Sequence, residues 1–154
     1  MSSEQASEDD AWMAHALALA REAERLGEVP VGAVVVRDVA IVGEGFNRTV
    51  TDSDPSAHAE VVAIRAAARR QGDWRLTDCT LYVSLEPCAM CAGAIVLARI
   101  PRVVFGATDP KAGMAGSLGD LLRDDRLNHR CQVASGVRAD ESSAMLKAFF
   151  RARR

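Results

Sequence analysis

No apolar run in this 154-residue chain reaches the roughly 18 residues that a membrane-spanning helix needs. The first ten residues lack the basic start and apolar stretch of a secretory signal, so a cytoplasmic protein with no membrane association is expected. There is no internal repeat and no linker-like segment, which points to a single domain over 1–154. Cysteine is scarce, at four residues, and in a reducing compartment a close cysteine pair signals metal or redox chemistry rather than a disulfide. Neither sign of charge is in excess, and a formal net charge of −2 excludes a global basic field for gripping nucleic acid. The charge is uneven, however: Glu4, Glu8, Asp9 and Asp10 make the start acidic, and Lys147, Arg151, Arg153 and Arg154 make the end basic. A local phosphate-binding patch stays open beside the plainer reading of cations favouring a helix C-terminus.

What the chain does have is apolar content, 49% of its residues, enough at this length to bury a core. Residues 1–8 read as a polar, frayed tail. Trp12, Ala16, Leu19, Ala23 and Leu26 recur at helical spacing before Gly27, a plausible stop. Residues 31–36 and 40–46 are β-rich runs around a turn at Arg37-Asp38-Val39 and predict a hairpin. A second helix is predicted over 57–71, a strand over 80–85, a third helix over 88–98 and a strand over 102–105. Three glycines and a proline make 107–120 a loop, with a short helix expected near Leu118–Arg123. A weak strand over 131–134 and a last helix from Asp140 complete the order. Alternation of this kind predicts an α/β protein, a three-layer α/β/α sandwich around a mixed five-stranded sheet. The opening hairpin supplies its antiparallel part.

The chemistry is concentrated in two short segments. His58-Ala59-Glu60 is followed, after 26 residues, by Pro87-Cys88-Ala89-Met90-Cys91. One imidazole and two thiolates hold Zn²⁺ and leave its fourth position for water. Both halves fall at predicted helix starts, where positive potential favours the thiolate that binds metal. Two thiolates cancel the zinc charge and weaken it as a Lewis acid, so a carboxylate is needed to take the water's proton. Glu60 is that carboxylate. Returning the proton to a substrate nitrogen, and then to a departing amine, is hydrolytic deamination. CxxC alone is weak and His-x-Glu weaker, but together at helix starts they form the zinc-deaminase signature. A purely structural zinc would need a fourth ligand from His15, His129, Cys79 or Cys131, none of which lies in a second paired motif. Plainer roles suit those four: buried small side chains for the two cysteines, surface or satisfied core for His15, a structural hydrogen bond for His129.

On these residues the chain resembles the bacterial tRNA-specific adenosine deaminases, of the cytidine deaminase superfamily. The resemblance runs from about Trp12 to Arg154 and includes Glu28-Val29-Pro30-Val31-Gly32-Ala33-Val34, Gly43-Glu44-Gly45-Phe46-Asn47-Arg48, the two metal segments, Val103-Val104-Phe105-Gly106-Ala107 and Asn128-His129-Arg130. It implies a cytidine deaminase-like fold, a homodimer, one zinc per subunit, and conversion of adenosine to inosine at the wobble position in a tRNA anticodon stem-loop. It assigns His58, Cys88 and Cys91 as zinc ligands and Glu60 as proton shuttle. It makes Asn47 a substrate-binding residue and Val31 and Leu85 walls around the base. Asp109 and Lys111 then fall in a loop meeting flanking nucleotides, and Phe149, Phe150 and Arg153 on a helix that helps hold the RNA. The residues by themselves leave plainer readings beside these: Asn47 and Asp109 as turn residues, and at least one of Phe149 and Phe150 as core. Two other functions compete, a deaminase of free nucleobases or nucleosides such as guanine or cytidine, and a non-catalytic zinc-stabilised RNA-binding module.

Overall fold

Residues 32–36 are buried without a break, the mark of a strand covered on both faces. In the computed structural model, which describes residues 2–153, that strand is second in a five-stranded sheet. Met1, from the expected tail, and Arg154, from the basic end, lie outside the described residues. The elements are α1 (Ser3–Arg25), β1 (Gly32–Arg37), β2 (Ala40–Phe46), α2 (Ala59–Gln71), β3 (Cys79–Leu85), α3 (Ala89–Leu97), β4 (Arg102–Ala107), β5 (Gln132–Ala134) and α4 (Ala139–Arg151). The sheet order is β2-β1-β3-β4-β5. β1 runs antiparallel to β2 and β3, while β3, β4 and β5 are mutually parallel neighbours, so the sheet is mixed as expected.

The period-2 alternation of the strands sorts the core into two layers. Val34, Val36, Tyr82 and Val104 face Met13, Ala16 and Leu17 of α1, with Met145 of α4 packed against them. Ala33, Val35, Leu81, Val83, Val103 and Phe105 face the other way, onto Ala59, Ala63 and Ala67 of α2 and Ala92, Ile95 and Val96 of α3. Helices therefore cover both faces, and the chain is an α/β/α sandwich with the cytidine deaminase-like arrangement. Because β1 is antiparallel to both neighbours, its start lies beside the ends of β2 and β3, and the parallel β4 ends there too. The loops after β2, β3 and β4 meet there at the starts of α2 and α3.

Two expectations fail. Helix α1 begins at Ser3, not near Trp12, so residues 3–8 of the expected tail are helical. Ser2 caps it, its Oγ accepting from Gln5 N at 3.0 Å. Buried Asp9 then ties it to Arg102 of β4, and Asp10 ties it to Arg138. Those long-range ion pairs hold a polar stretch that has no apolar stripe of its own. The short helix near Leu118–Arg123 is absent. Its backbone donors go elsewhere: Leu118 N to Gly113 O, Leu121 N to Met114 O and Arg123 N to the Asp120 side chain. Donors satisfied in this way have no need of an i→i−4 ladder.

Candidate metal centre and active site

Helix α2 lies directly on the backbone of β2. A Cβ at Gly43 or Gly45 would overlap the helix backbone at Ala63 or Ala59, so only glycine lets the two approach this closely. This contact fixes the start of α2 relative to the sheet. His58 is the N-cap of α2 and Cys88 the N-cap of α3, one position earlier than the first-turn placement expected for the histidine. Neither side chain caps its own helix. Both turn toward the same point, and Cys91, in the first turn of α3, joins them.

His58 Nδ1 lies 3.5 Å from Cys88 Sγ and 3.4 Å from Cys91 Sγ. All three ligand atoms lie within 4.8 Å of one another. On a tetrahedral zinc with Zn–S of about 2.3 Å and Zn–N of about 2.0 Å, sulfur and nitrogen stand about 3.5 Å apart. The three residues therefore fit the ion, and this His/Cys/Cys trio is the only such metal-binding group among the described residues. His15 pairs with Glu44, His129 and Cys131 both meet Ile100 O, and Cys79 meets Gln71. None of these supplies a fourth ligand.

The electrostatics suit metal binding and proton transfer. Hydrogen bonds from Cys91 and His58 hold the Cys88 thiol down to about 3. Its bond to that sulfur raises His58 above its ordinary value. Cys91, hydrogen-bonded to the ionised sulfur and itself buried, is pushed up, and a divalent cation shared by both sulfurs reverses that. Burial pushes Glu60 up to about 7, so at neutral pH its carboxyl is poised between donor and acceptor.

These groups open onto a cavity of about 250 Å³. Its walls are Val29, Val31, Asn47 and Thr49 on one side and Leu85, Asp109 and Ala112 on the other, with His58, Glu60 and Cys88 between. That is below the roughly 300 Å³ at which drug-sized pockets begin, a size for one flat base and not a whole nucleotide. Val29, Leu85 and Asp109 also line an adjoining groove with Lys111, Leu146 and Phe150. The groove continues along α4 past Ser143, Lys147 and Arg151.

The structure thus brings Val31, Asn47, His58, Glu60, Leu85, Cys88 and Asp109 to one cavity and Lys111 to the groove beside it. Asn47 divides its amide: Oδ1 accepts from Ala59 N at 2.8 Å, filling the capping role that His58 leaves empty. Its Nδ2 has no hydrogen-bond partner among the described residues and stays with the cavity. Asp109 is both turn and wall, since Oδ1 accepts from Lys111 N and Ala112 N. Of the two C-terminal rings, Phe149 is 6% exposed and lies with the core, whereas Phe150, 50% exposed, lines the groove. Arg153 lies outside the groove as well, stacked 3.5 Å from the Phe149 ring centroid and donating to Phe149 O.

Comparison with known proteins agrees with this geometry. Residues 6–107 match the family model of the cytidine and deoxycytidylate deaminase zinc-binding region. A tRNA-specific adenosine deaminase of Haemophilus influenzae is 52% identical over 147 residues, covering 95% of this chain and 85% of the relative. The chain belongs to the tRNA-specific adenosine deaminase family. Among solved structures, one from work on A-to-I editing by tRNA:A34 deaminases at the wobble position is 43% identical. It has a TM-score of 0.85 and covers 88% of this chain and 99% of that one. A guanine deaminase from Bacillus subtilis is also 43% identical but superposes less well, with a TM-score of 0.63 over 78% of this chain and 73% of its own.

This deaminase carries residues around its site that sequence reasoning passed over. Val29 and Thr49 complete the cavity wall, while Lys147 and Arg151, read in the sequence as part of a basic end, line the groove. Glu28 and Glu86 are buried beside the cavity and form no salt bridge among the described residues, although Arg48 is close enough to Glu28 to feel its charge. A carboxylate set against an apolar strand, just before Val29-Pro30-Val31 in one case and just after Leu85 in the other, was the available signal for both.

Proposed function

We propose that the protein converts adenosine to inosine by zinc-dependent hydrolysis at the wobble position of tRNA anticodons, acting in the cytoplasm as a homodimer. One observation carries this reading: a base-sized cavity holding the His58–Cys88–Cys91 trio and Glu60 continues into a groove lined by Lys111, Lys147, Arg151 and Phe150. A free base needs only the cavity. A groove with three cations and an exposed aromatic ring suits the phosphates and bases that flank a target nucleotide.

Zinc held by His58, Cys88 and Cys91 would supply Lewis acidity toward water. The chain's own residues do the rest. Val31 and Leu85 sandwich the flat base and exclude bulk solvent, and the free Nδ2 of Asn47 donates to an acceptor on the purine or its sugar. Glu60 takes one proton from the attacking water and delivers it to the ring nitrogen, then carries the second, from the hydroxyl now on the carbon, to the amine as its C–N bond breaks. Adenosine and water thus become inosine and ammonia. A wobble base in an anticodon loop reaches so deep a site because turning it outward from a loop costs less than from a duplex.

The dimer reading rests on α3. The helix contains no charged residue, yet Met90 and Leu97 are exposed on it, an apolar face that a second subunit would cover.

The function is tested by exposing total tRNA to the zinc-loaded protein and mapping inosine, with free guanine, cytidine and adenosine assayed in parallel for ammonia. Inosine confined to the wobble position is the expected result. Ammonia from a free base without inosine in tRNA overturns it in favour of nucleobase deamination.

A further inference from the structure

Each side of the cavity is closed by one buried carboxylate held by hydrogen bonds and not by a salt bridge. Glu28, just before wall residue Val29, is 1% exposed. It accepts from Thr49 Oγ1 at 3.3 Å, Val50 N at 3.2 Å, and both Thr51 N and Thr51 Oγ1 at 2.6 Å. Glu86, just after wall residue Leu85, is 2% exposed. It accepts from Asp109 N at 2.9 Å, Ala115 N and Ser117 N at 3.0 Å, and Ser117 Oγ at 2.5 Å. Neither forms a salt bridge among the described residues.

The two arrangements do the same thing on neighbouring strand pairs. Glu28 joins the entry of β1 to the loop that leaves β2, and Glu86 joins the exit of β3 to the loop that leaves β4. The first loop carries Asn47 and Thr49, and the second carries Asp109 and Ala112. A buried charge without a directly paired cation is tolerable only while its hydrogen bonds are complete. Here the donors are the loops themselves, so any other loop conformation strands a carboxylate in the protein interior. An apolar side chain would fill the same space but would not select one conformation.

We infer that Glu28 and Glu86 are paired positioning residues, each locking one wall of the base cavity so that the cavity is preformed before substrate arrives. This rests on the reading of the cavity as the adenosine site. Pre-organisation of this kind acts on binding, because ordering done in advance is not charged against association.

The test compares wild type with Glu28→Gln and Glu86→Gln. An amide keeps the shape but offers one acceptor oxygen, and its NH₂ opposes donors that already point at it. Each variant is expected to keep one zinc per chain. KM for an anticodon stem-loop RNA should rise about tenfold or more while kcat changes less, the size of effect expected when hydrogen bonds to a charge are lost. Hydrogen exchange should quicken only in the loop concerned: at Val50 and Thr51 for Glu28→Gln, at Asp109, Ala115 and Ser117 for Glu86→Gln. Each Glu→Asp variant should recover part of the loss. Gly113→Ala and Thr51→Val are the companions where a Gln variant does not fold. A Cβ at Gly113 would collide with the Glu86 carboxylate and lift the loop without altering charge, and Thr51→Val removes one donor to Glu28. Unchanged KM and unchanged loop exchange, or faster exchange spread over the whole sheet, would overturn the inference. A wild-type protein inactive on the RNA would refute the substrate reading alone, since the exchange pattern reports on the loops without turnover.

Discussion

Asp9 and Glu60 are both carboxylates with almost no exposure, 0% and 4%, on helices that cover opposite faces of one sheet. Their surroundings differ completely. Asp9 is saturated: Arg102 donates to both of its oxygens at 2.8 and 2.7 Å, Tyr82 Oη donates at 2.8 Å and Gln5 Nε2 at 3.1 Å. Burial alone would raise its pKa, but the bonds from Arg102 and Tyr82 outweigh burial and leave it below its ordinary value. Glu60 has no cation beside it except a histidine already engaged by two sulfurs. Burial dominates there and raises it to about 7, with the charge on Cys88 adding to the rise. Two carboxylates shielded alike from solvent thus become an ion-paired anchor in one place and a group able to gain and lose a proton in the other. What separates structure from chemistry is how many donors each carboxylate is given.

The sharpest way to break the comparison is to amidate each residue in turn. Glu60→Gln should lower kcat for inosine formation about 10³-fold, within the range for loss of a general acid–base group. It should keep one zinc per chain and a melting temperature equal to or above wild type, since the amide buries no charge. Turnover measured beside metal analysis checks this, and near-normal turnover would remove Glu60 from the mechanism. Asp9→Asn should do the reverse. It leaves Arg102 without its partner and should cost about 3 kcal/mol of stability, as expected for breaking a largely buried ion pair. Activity per folded molecule should be retained, and urea titration with single-turnover assays separates the two quantities.

A smaller effect sharpens the contrast through pH. Asp9, Glu28 and Glu86 all have folded pKa values below their ordinary ones, in each case because hydrogen bonds outweigh burial. A depressed carboxylate contributes stability that is complete above its unfolded pKa of about 4. That contribution is lost as pH falls through the folded value. The part of the melting temperature that these three supply should therefore be flat from neutral pH down to about 5 and decline below about 4, while Glu60, raised to about 7, adds stability as pH falls from about 7 toward its ordinary value. Asp9→Asn should show a shallower decline, because one of the three contributions is already gone. Thermal melts across that range would expose a parallel decline in the variant, which would mean that Asp9 is not among the acid-labile anchors.

The metal site was legible because its chemistry is local. A cation needs ligands of a certain type at short spacings on rigid elements, and His58-x-Glu60 with Cys88-x-x-Cys91 meets that need within two helix starts. The sheet was legible for a related reason: β1, β3 and β4 are covered on both faces and read as continuous apolar runs. The first two turns of α1 were not, because Asp9 and Asp10 find their partners 93 and 128 residues away. Nor was the choice between Phe149 and Phe150, which depends on how α4 is rotated against β4.

The sequence by itself determined the order of elements, the zinc-binding trio and the carboxylate that accompanies it, since periodicity and ligand chemistry are written in neighbouring residues. Only the tertiary structure decided which polar groups became anchors and which stayed reactive. Asn47 gave its oxygen to α2, Glu28 and Glu86 were spent on loops, and Glu60 was left with few donors. The reason is that a buried carboxylate is defined by the donors that reach it, and those come from segments brought close only when the sheet is assembled.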